Sequence, residues 1–232
     1  MNSLKHKEVI NIGMVLFPNF TQLDLTAPFE VFLRVPQAKI FFLSTDLQPI
    51  YTDKEFAVLP NCTFSDCPDL DILFVGGGWG TGQIMEDERY INFLKQQGKV
   101  VTYVTSVCTG ALVLAAAGLL DGYQATTHWL SLDLLRMFEK IEVKEQRVVI
   151  DRNRLTGGGV TAGIDFGLVL VAEIFGEELA KEIQLMIEYN PQPPFESGSP
   201  KNASQVLLEK IKYQTQHVQD KRKEQIKRIL SR

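Results

Sequence analysis

The sequence is poor in metal ligands and in cross-linking residues, with three cysteines and three histidines in 232 residues. An odd, low cysteine number argues against a disulfide framework. Cys62 and Cys67 are close together, but no histidine is near them, so a four-ligand zinc site is not expected and both read as structural or incidental thiols. No apolar stretch is long enough to span a bilayer, and the opening MNSLKHKEVI lacks the apolar core of a signal peptide. The expectation is a cytoplasmic, reducing home without membrane attachment. A net charge of −4 gives no general attraction to nucleic acid or to an anionic surface. Neither Gly76-Gly77-Gly78-Trp79-Gly80 nor Gly157-Gly158-Gly159-Val160-Thr161-Ala162-Gly163 matches G-x-G-x-x-G or a Lys-bearing phosphate loop, which sets nucleotide binding aside.

What is present is the alternation of an α/β protein. Apolar residues make up 45% and charged residues 22%, over a length that can bury one large core. Ile10–Phe17, Lys39–Leu43, Asp71–Val75 and Val100–Val107 read as core strands. Helical spacing predicts helices over Leu25–Val35, Glu86–Gln97, Leu130–Phe138, Ala162–Phe175 and Glu177–Tyr189. Ile50–Leu59 reads as a small hairpin, and Val148–Ile150 with Arg154–Thr156 as another around Asp151-Arg152-Asn153. The pattern predicts a mostly parallel sheet covered on both faces, with ligands at the C-terminal strand ends. The loops Pro18–Asp24, Gly76–Gly82 and Cys108–Gly110 should converge there. Asn190–Pro200 is a Pro-rich arm, and 203–232 a charged helix, partly docked and partly frayed. Residues 1–200 are therefore taken as the catalytic domain and 201–232 as a helical extension of it. The basic stretch Lys221–Arg232 reads as a solvated helix face.

Cys108 is the most informative residue. A β-branched apolar run leads into it, and Thr109-Gly110 and the small-residue run Ala111–Ala117 follow. Strand, tight turn and helix would hold a thiol beside free helix N–H groups, which favour a thiolate. The arrangement is a nucleophile elbow with Cys in place of Ser; a buried small-residue cysteine is the other reading. Asp24 follows the first strand. It could be a helix cap, with Thr26 an alternative cap and Pro28 in the first turn, or it could face the Cys108 thiol. A carboxylate beside a thiolate should have a raised pKa and could act as a general acid. His128 could pair with Cys108 or stand at the surface. Asp165, inside an apolar helix, needs polar partners.

Together, LFPNFTQLDLTAPFEVF, DILFVGGGWG, YVTSVCTGALVLAAAGLLDGYQATTHW, DRNRLTGGGVTAGIDFGL and IQLMIEYNPQPPFESGSP resemble the ThiJ/PfpI superfamily, which has the class I glutamine-amidotransferase-like fold. Within it, the isonitrile hydratases are the most similar branch. The resemblance implies a homodimeric flavodoxin-like α/β sandwich that adds water to a small-molecule isonitrile, giving an N-substituted formamide. It implies Cys108 as nucleophile, Asp24 as acid/base and Thr109 as an essential neighbour. Gly77 and Gly78, with the Thr109 backbone, would form the anion-binding corner, and His128 would lie near the substrate. It implies no cofactor and no metal. The pocket should be largely apolar. Alternative activities are a cysteine-dependent hydrolase or glyoxalase-type enzyme, or a redox sensor oxidised at Cys108. Some relatives carry a C-terminal helix-turn-helix; the segment after Pro200 is expected to be too short for one, and no direct nucleic-acid contact is expected.

Overall fold

The computed structural model describes residues 4–232. Eleven strands are described: β1 Ile10–Val15, β2 Ala38–Ser44, β3 Ile50–Tyr51, β4 Ala57–Val58, β5 Cys62–Thr63, β6 Ile72–Val75, β7 Tyr103–Val107, β8 Gln124–Ala125, β9 Glu142–Val143, β10 Val148–Asp151 and β11 Arg154–Gly157. The helices are α1 Gln22–Phe32, α2 Thr81–Ile84, α3 Glu88–Gln97, α4 Gly110–Ala116, α5 Leu132–Arg136, α6 Ala162–Phe175, α7 Glu177–Met186 and α8 Gln205–Leu230. Seven strands form the main sheet in the order β10-β11-β7-β6-β1-β2-β5. The β10–β11 hairpin is antiparallel and every other pair is parallel.

The core strands are apolar and β-branched because both their faces are covered. All residues of β6 and β7 are buried. Phe74 of β6 packs against Phe32 of α1 and Phe166 of α6, so one aromatic cluster ties the sheet to two helices of the same layer. The sequence expectations hold for the parallel sheet and both hairpins. They differ at α1, which starts at Gln22. Thr26 therefore lies within the helix, its hydroxyl bonded to the Gln22 carbonyl, and Pro28 is interior. Pro28 has no N–H to give the carbonyl four residues back, that of Asp24. The glycine loop after β6 also contains the short helix α2.

The C-terminal helix α8 is continuous over 26 residues, capped by the Ser204 hydroxyl, which accepts from Leu207 N. Its buried residues Arg222, Gln225 and Ile226 share one face, at i, i+3 and i+4 spacing. Gln225 Nε2 donates to the Gly82 carbonyl at 2.8 Å and to Glu86 at 3.0 Å, and Arg228 pairs with Glu86 at 2.8 Å. The expected partly docked helix is thus present without fraying through Leu230, and the reading of Lys221–Arg232 as a solvated face is corrected at one stripe: Arg222, Gln225 and Ile226 are buried, while the other residues of α8 are largely exposed.

Helix α4 can follow the elbow only because its first residue lacks a side chain. A Cβ on Gly110 would stand 2.1 Å from the Val75 carbonyl oxygen, a rigid strand atom. Gly110→Ala is expected to lose about 1–3 kcal/mol or more by overpacking. Denaturant unfolding with the fitted midpoint tests this, and a midpoint equal to that of the wild type would refute it.

Candidate active site

The three loops predicted to converge do so at the C-terminal ends of β1, β6 and β7. Thr21 N donates to Gly77 O at 2.9 Å, Gly80 N to Asn19 O at 3.0 Å, and Phe20 bridges Gly78. Gly78 has φ +149°, and a Cβ there would meet the Phe20 Cα at 2.5 Å. Loop contact at this distance requires glycine.

Cys108 sits at the turn between β7 and α4 with φ +53°, a left-handed conformation uncommon for a side-chain-bearing residue. The surroundings hold it there. Its N–H is shared between the carbonyls of Gly157 (3.0 Å) and Gly158 (2.8 Å), and its carbonyl accepts from Thr127 Oγ1 at 2.7 Å. The glycines after β11 therefore clamp the elbow, and Thr127 completes the clamp. The sequence shows only that this glycine run is no nucleotide-binding loop, and nothing local marks Thr127.

Asp24, in the first turn of α1, is fully buried. Gly77 lies against both it and the cysteine: a Cβ on Gly77 would stand 2.7 Å from Asp24 Oδ2 and also from Cys108 Cβ. Neither carboxylate oxygen has a hydrogen bond of good geometry. Burial raises the Asp24 pKa to about 7, and the Cys108 thiol and the Gly77 N–H pull it part of the way down. The expected rise is therefore present, but its cause is desolvation and not repulsion from sulfur. The thiol departs from expectation in the other direction. Burial, and then the Asp24 charge, push Cys108 well above the ordinary thiol value, outweighing the Thr109 N–H and the Arg222 guanidinium. A helix N-terminus favours a thiolate only where desolvation does not exceed it.

Thr109 serves the glycine loop. Its Oγ1 accepts from Gly78 N at 3.1 Å and lies 3.4 Å from Thr81 Oγ1. The Gly78 N–H is thereby engaged inside the protein, which leaves the Thr109 N–H as the backbone donor acting on sulfur. His128 Nδ1 accepts from Leu130 N at 3.3 Å, and its ring lies against Gly159. Burial and the neighbouring Arg222 hold its pKa down at about 4, so the imidazole is neutral near pH 7. His128 lines a cavity of about 460 Å³ with Trp129, Leu132, Gly158, Val160 and Ala162. Arg147, Glu145 and Lys201 also line it, so its wall is mixed in polarity; it meets the elbow through Thr127 and Gly158, and neither Cys108 nor Asp24 lines it. Asp165 finds its partners in Arg147 Nε (2.7 Å) and the Tyr189 hydroxyl (2.9 Å).

The other thiols lie elsewhere. Cys62 is buried on the edge strand β5 and Cys67 is half-buried nearby. Burial raises both, Cys67 to about 12. The residue that sequence reasoning missed is Arg222 of α8. Its Nη2 donates to the Gly78 carbonyl at 2.6 Å, inside a run of basic residues whose composition suggested solvent.

A parallel sheet with a strained cysteine at a strand–helix elbow, faced by a buried carboxyl, defines a cysteine-elbow α/β sandwich of the flavodoxin-like type. The chain belongs to the DJ-1/PfpI family, whose model matches residues 11–173. It is 47% identical to an isonitrile hydratase of Pseudomonas putida, over 88% of this chain and 89% of that protein. It is 31% identical to the HTH-type transcriptional regulator GbdR of Pseudomonas aeruginosa, over 77% of this chain but only 50% of the regulator. A crystal structure of a ThiJ/PfpI family protein from Pseudomonas syringae superposes with a TM-score of 0.92 at 41% identity, covering 97% of this chain and 94% of that one.

The raised Asp24 pKa has a consequence for stability. An acid with a higher pKa folded than unfolded stabilises the fold at low pH. That contribution is fully present below the unfolded value of 3.8 and is lost as pH rises through about 7. Relative to the wild type, Asp24→Asn should therefore gain melting temperature as pH climbs from 4 to 8. Parallel melting curves for the two proteins across that range would contradict the assignment.

Proposed function

We propose that the chain hydrates isonitriles, R–N≡C plus water giving R–NH–CHO, with Cys108 as nucleophile and Asp24 as the acid/base. The observation that carries the proposal is the buried Asp24 carboxyl, set with the thiol against Gly77 and poised near neutral pH. The 47% identity to an isonitrile hydratase over nearly the whole of both chains supports the substrate class.

The resting thiol is protonated, and the Asp24 carboxylate takes its proton as sulfur attacks the isonitrile carbon. Asp24 then returns that proton to the former isonitrile carbon, giving the thioimidate R–N=CH–S–Cys108. As a carboxylate again, Asp24 takes a proton from water as the water oxygen adds to the same carbon, and passes that proton to nitrogen. Collapse of the tetrahedral carbon expels the sulfur, the remaining hydroxyl proton passes by way of Asp24 to sulfur, and R–NH–CHO leaves. One group alternating between acid and base works best with a pKa close to the working pH, which the burial of Asp24 supplies. Thr109 acts through the loop: its hydroxyl fixes the Gly78 peptide and its N–H faces sulfur. The cavity beside the elbow would admit the R group past His128, Trp129 and Val160.

The alternatives fit less well. A hydrolase needs a firm Cys–His pair, whereas among the described residues the groups acting on Cys108 are Asp24, Thr109 and Arg222 and not His128. A peroxide sensor needs an exposed, low-pKa thiol, and Cys108 is neither. Direct DNA binding draws no support from α8, where Arg222 is buried and Lys227 and Arg228 pair with Glu224 and Glu86. The similarity to GbdR gives that reading a concrete test, a mobility-shift assay on DNA flanking the chain's own gene. No sequence-specific shift is expected; one that survives competitor DNA would favour a regulator.

A homodimer is part of the same proposal. Leu185, Met186, Phe195, Val206 and Tyr213 are exposed apolar residues around the end of α7, the proline-rich arm and the start of α8, a distribution suited to a second copy of the chain. Light scattering at micromolar concentration should give twice the chain mass, and a monomer would count against it.

Incubation with an alkyl and an aryl isocyanide, following isocyanide loss and formamide appearance, tests the activity. Cys108→Ser should abolish turnover in a folded protein, and Asp24→Asn should lower it on the order of 10²–10⁴-fold. Cys62→Ser and Cys67→Ser should remain close to wild type. A folded Cys108→Ser variant with normal turnover would end the covalent mechanism.

A further inference from the structure

Arg222 is the one charged group near the reacting sulfur to which the mechanism above gives no task. Its side chain is delivered by α8, 144 residues along the chain from the Gly78 carbonyl that accepts its Nη2. Arg222 is only 5% exposed, and its Nε is buried without a hydrogen-bond partner. Among the described residues it pairs with no carboxylate, although Lys227 and Arg228 on the same helix each have one. A guanidinium does not discharge itself by losing a proton. Burying one without a counter-charge costs several kcal/mol. The hydrogen bond to Gly78 does not explain that cost, because the same carbonyl already accepts from Thr81 Oγ1 at 2.9 Å and the loop is also bridged to Phe20.

We propose that Arg222 is a positioning residue of the Cys108 site, brought in by the C-terminal helix onto the Gly78 carbonyl to act as the counter-charge for the anion that forms at sulfur. The proposal rests on Cys108 being the reactive thiol. The charged and titratable groups facing that sulfur are Asp24 from α1 and Arg222 from α8, with the Thr109 N–H from the start of α4. His128, which senses Arg222, is neutral. When the thiol gives its proton to the Asp24 carboxylate, one negative charge moves from oxygen to sulfur and nothing else changes. Arg222 sits on the carbonyl of Gly78, whose N–H is held by the Thr109 hydroxyl next to Cys108, and its charge and that of the sulfur act on each other. A fixed cation placed in this way favours the transfer, and it also favours the return of the electron pair to sulfur when the product leaves.

The test uses the full chain carrying Cys62→Ser and Cys67→Ser, so that Cys108 is the reactive thiol. Alkylation by iodoacetamide is followed against pH in Arg222, Arg222→Met and Arg222→Lys proteins, together with their melting temperatures. Because Cys108 and Asp24 titrate as a pair, the quantity compared is the apparent midpoint of the pH profile. Arg222→Met should raise the midpoint by about one unit, slowing alkylation near pH 7 roughly tenfold. It should also melt at or above the temperature of the parent, since an unpaired buried charge has been replaced by an apolar chain. Arg222→Lys, which keeps the charge, should lie closer to the parent than to Met. A folded Arg222→Met protein with an unmoved midpoint would overturn the proposal. Loss of folding in that variant, or a Lys midpoint shifted as far as Met, would also overturn it, since either would assign Arg222 to holding the structure and not to its charge. The alkylation readout does not involve isonitriles, so failure of the proposed hydratase activity would leave this result interpretable.

Discussion

The site depends on keeping an ionisable carboxyl and a thiol together out of water. Asp24 is fully buried and Cys108 nearly so, the two side chains act directly on each other, and Gly77 lies against both. Solvating either group would return it toward its ordinary pKa, and the pair would no longer exchange a proton near neutrality. The surrounding architecture serves that exclusion. Three loops from β1, β6 and β7 close over the pair, the glycines among them allow backbone-to-backbone approach, and α8 seals the outer side with Arg222 and Gln225.

Burial has a cost that the rest of the fold must cover. Cys108 is held in a left-handed conformation by carbonyls from the far side of β7, and Asp24 lacks hydrogen bonds of good geometry. Arg222 is a buried cation without a carboxylate. Each of these destabilises a native state, and they cluster at one place, as strained and unsatisfied groups do where chemistry is performed. The aromatic cluster of Phe32, Phe74 and Phe166 and the wholly buried strands β6 and β7 beneath the site supply compensating burial.

The family relationship and the geometry answer different questions. Similarity to an isonitrile hydratase across nearly both chains bears on the substrate, and similarity to about half of a transcriptional regulator shows that related sequence occurs within a longer protein. A fold by itself does not assign a reaction. The buried Asp24–Cys108 pair is what the proposed reaction draws on, and the disposition of α8 separates this chain's site from a bare strand–cysteine–helix elbow.

Local patterning determined most of the sheet, both hairpins and the elbow, because each is written in contiguous residues: apolar runs, turn residues around Arg152, and a small-residue helix directly after Cys108. Asp24 was legible as a candidate, since an acid just after a central strand of a parallel sheet reaches the ligand-binding edge. What only the tertiary structure decided was which side chains meet across long sequence separations. Desolvation, and not the helix N-terminus, sets the protonation of the thiol, and burial is a property of the assembled core that no short segment carries. The clamp on Cys108 comes from Gly157, Gly158 and Thr127, and the cation beside it from Arg222, whose sequence neighbourhood reads as a solvated charge run. A basic residue facing water and one facing a buried sulfur are the same letter; the packing of α8 against the glycine loop distinguishes them.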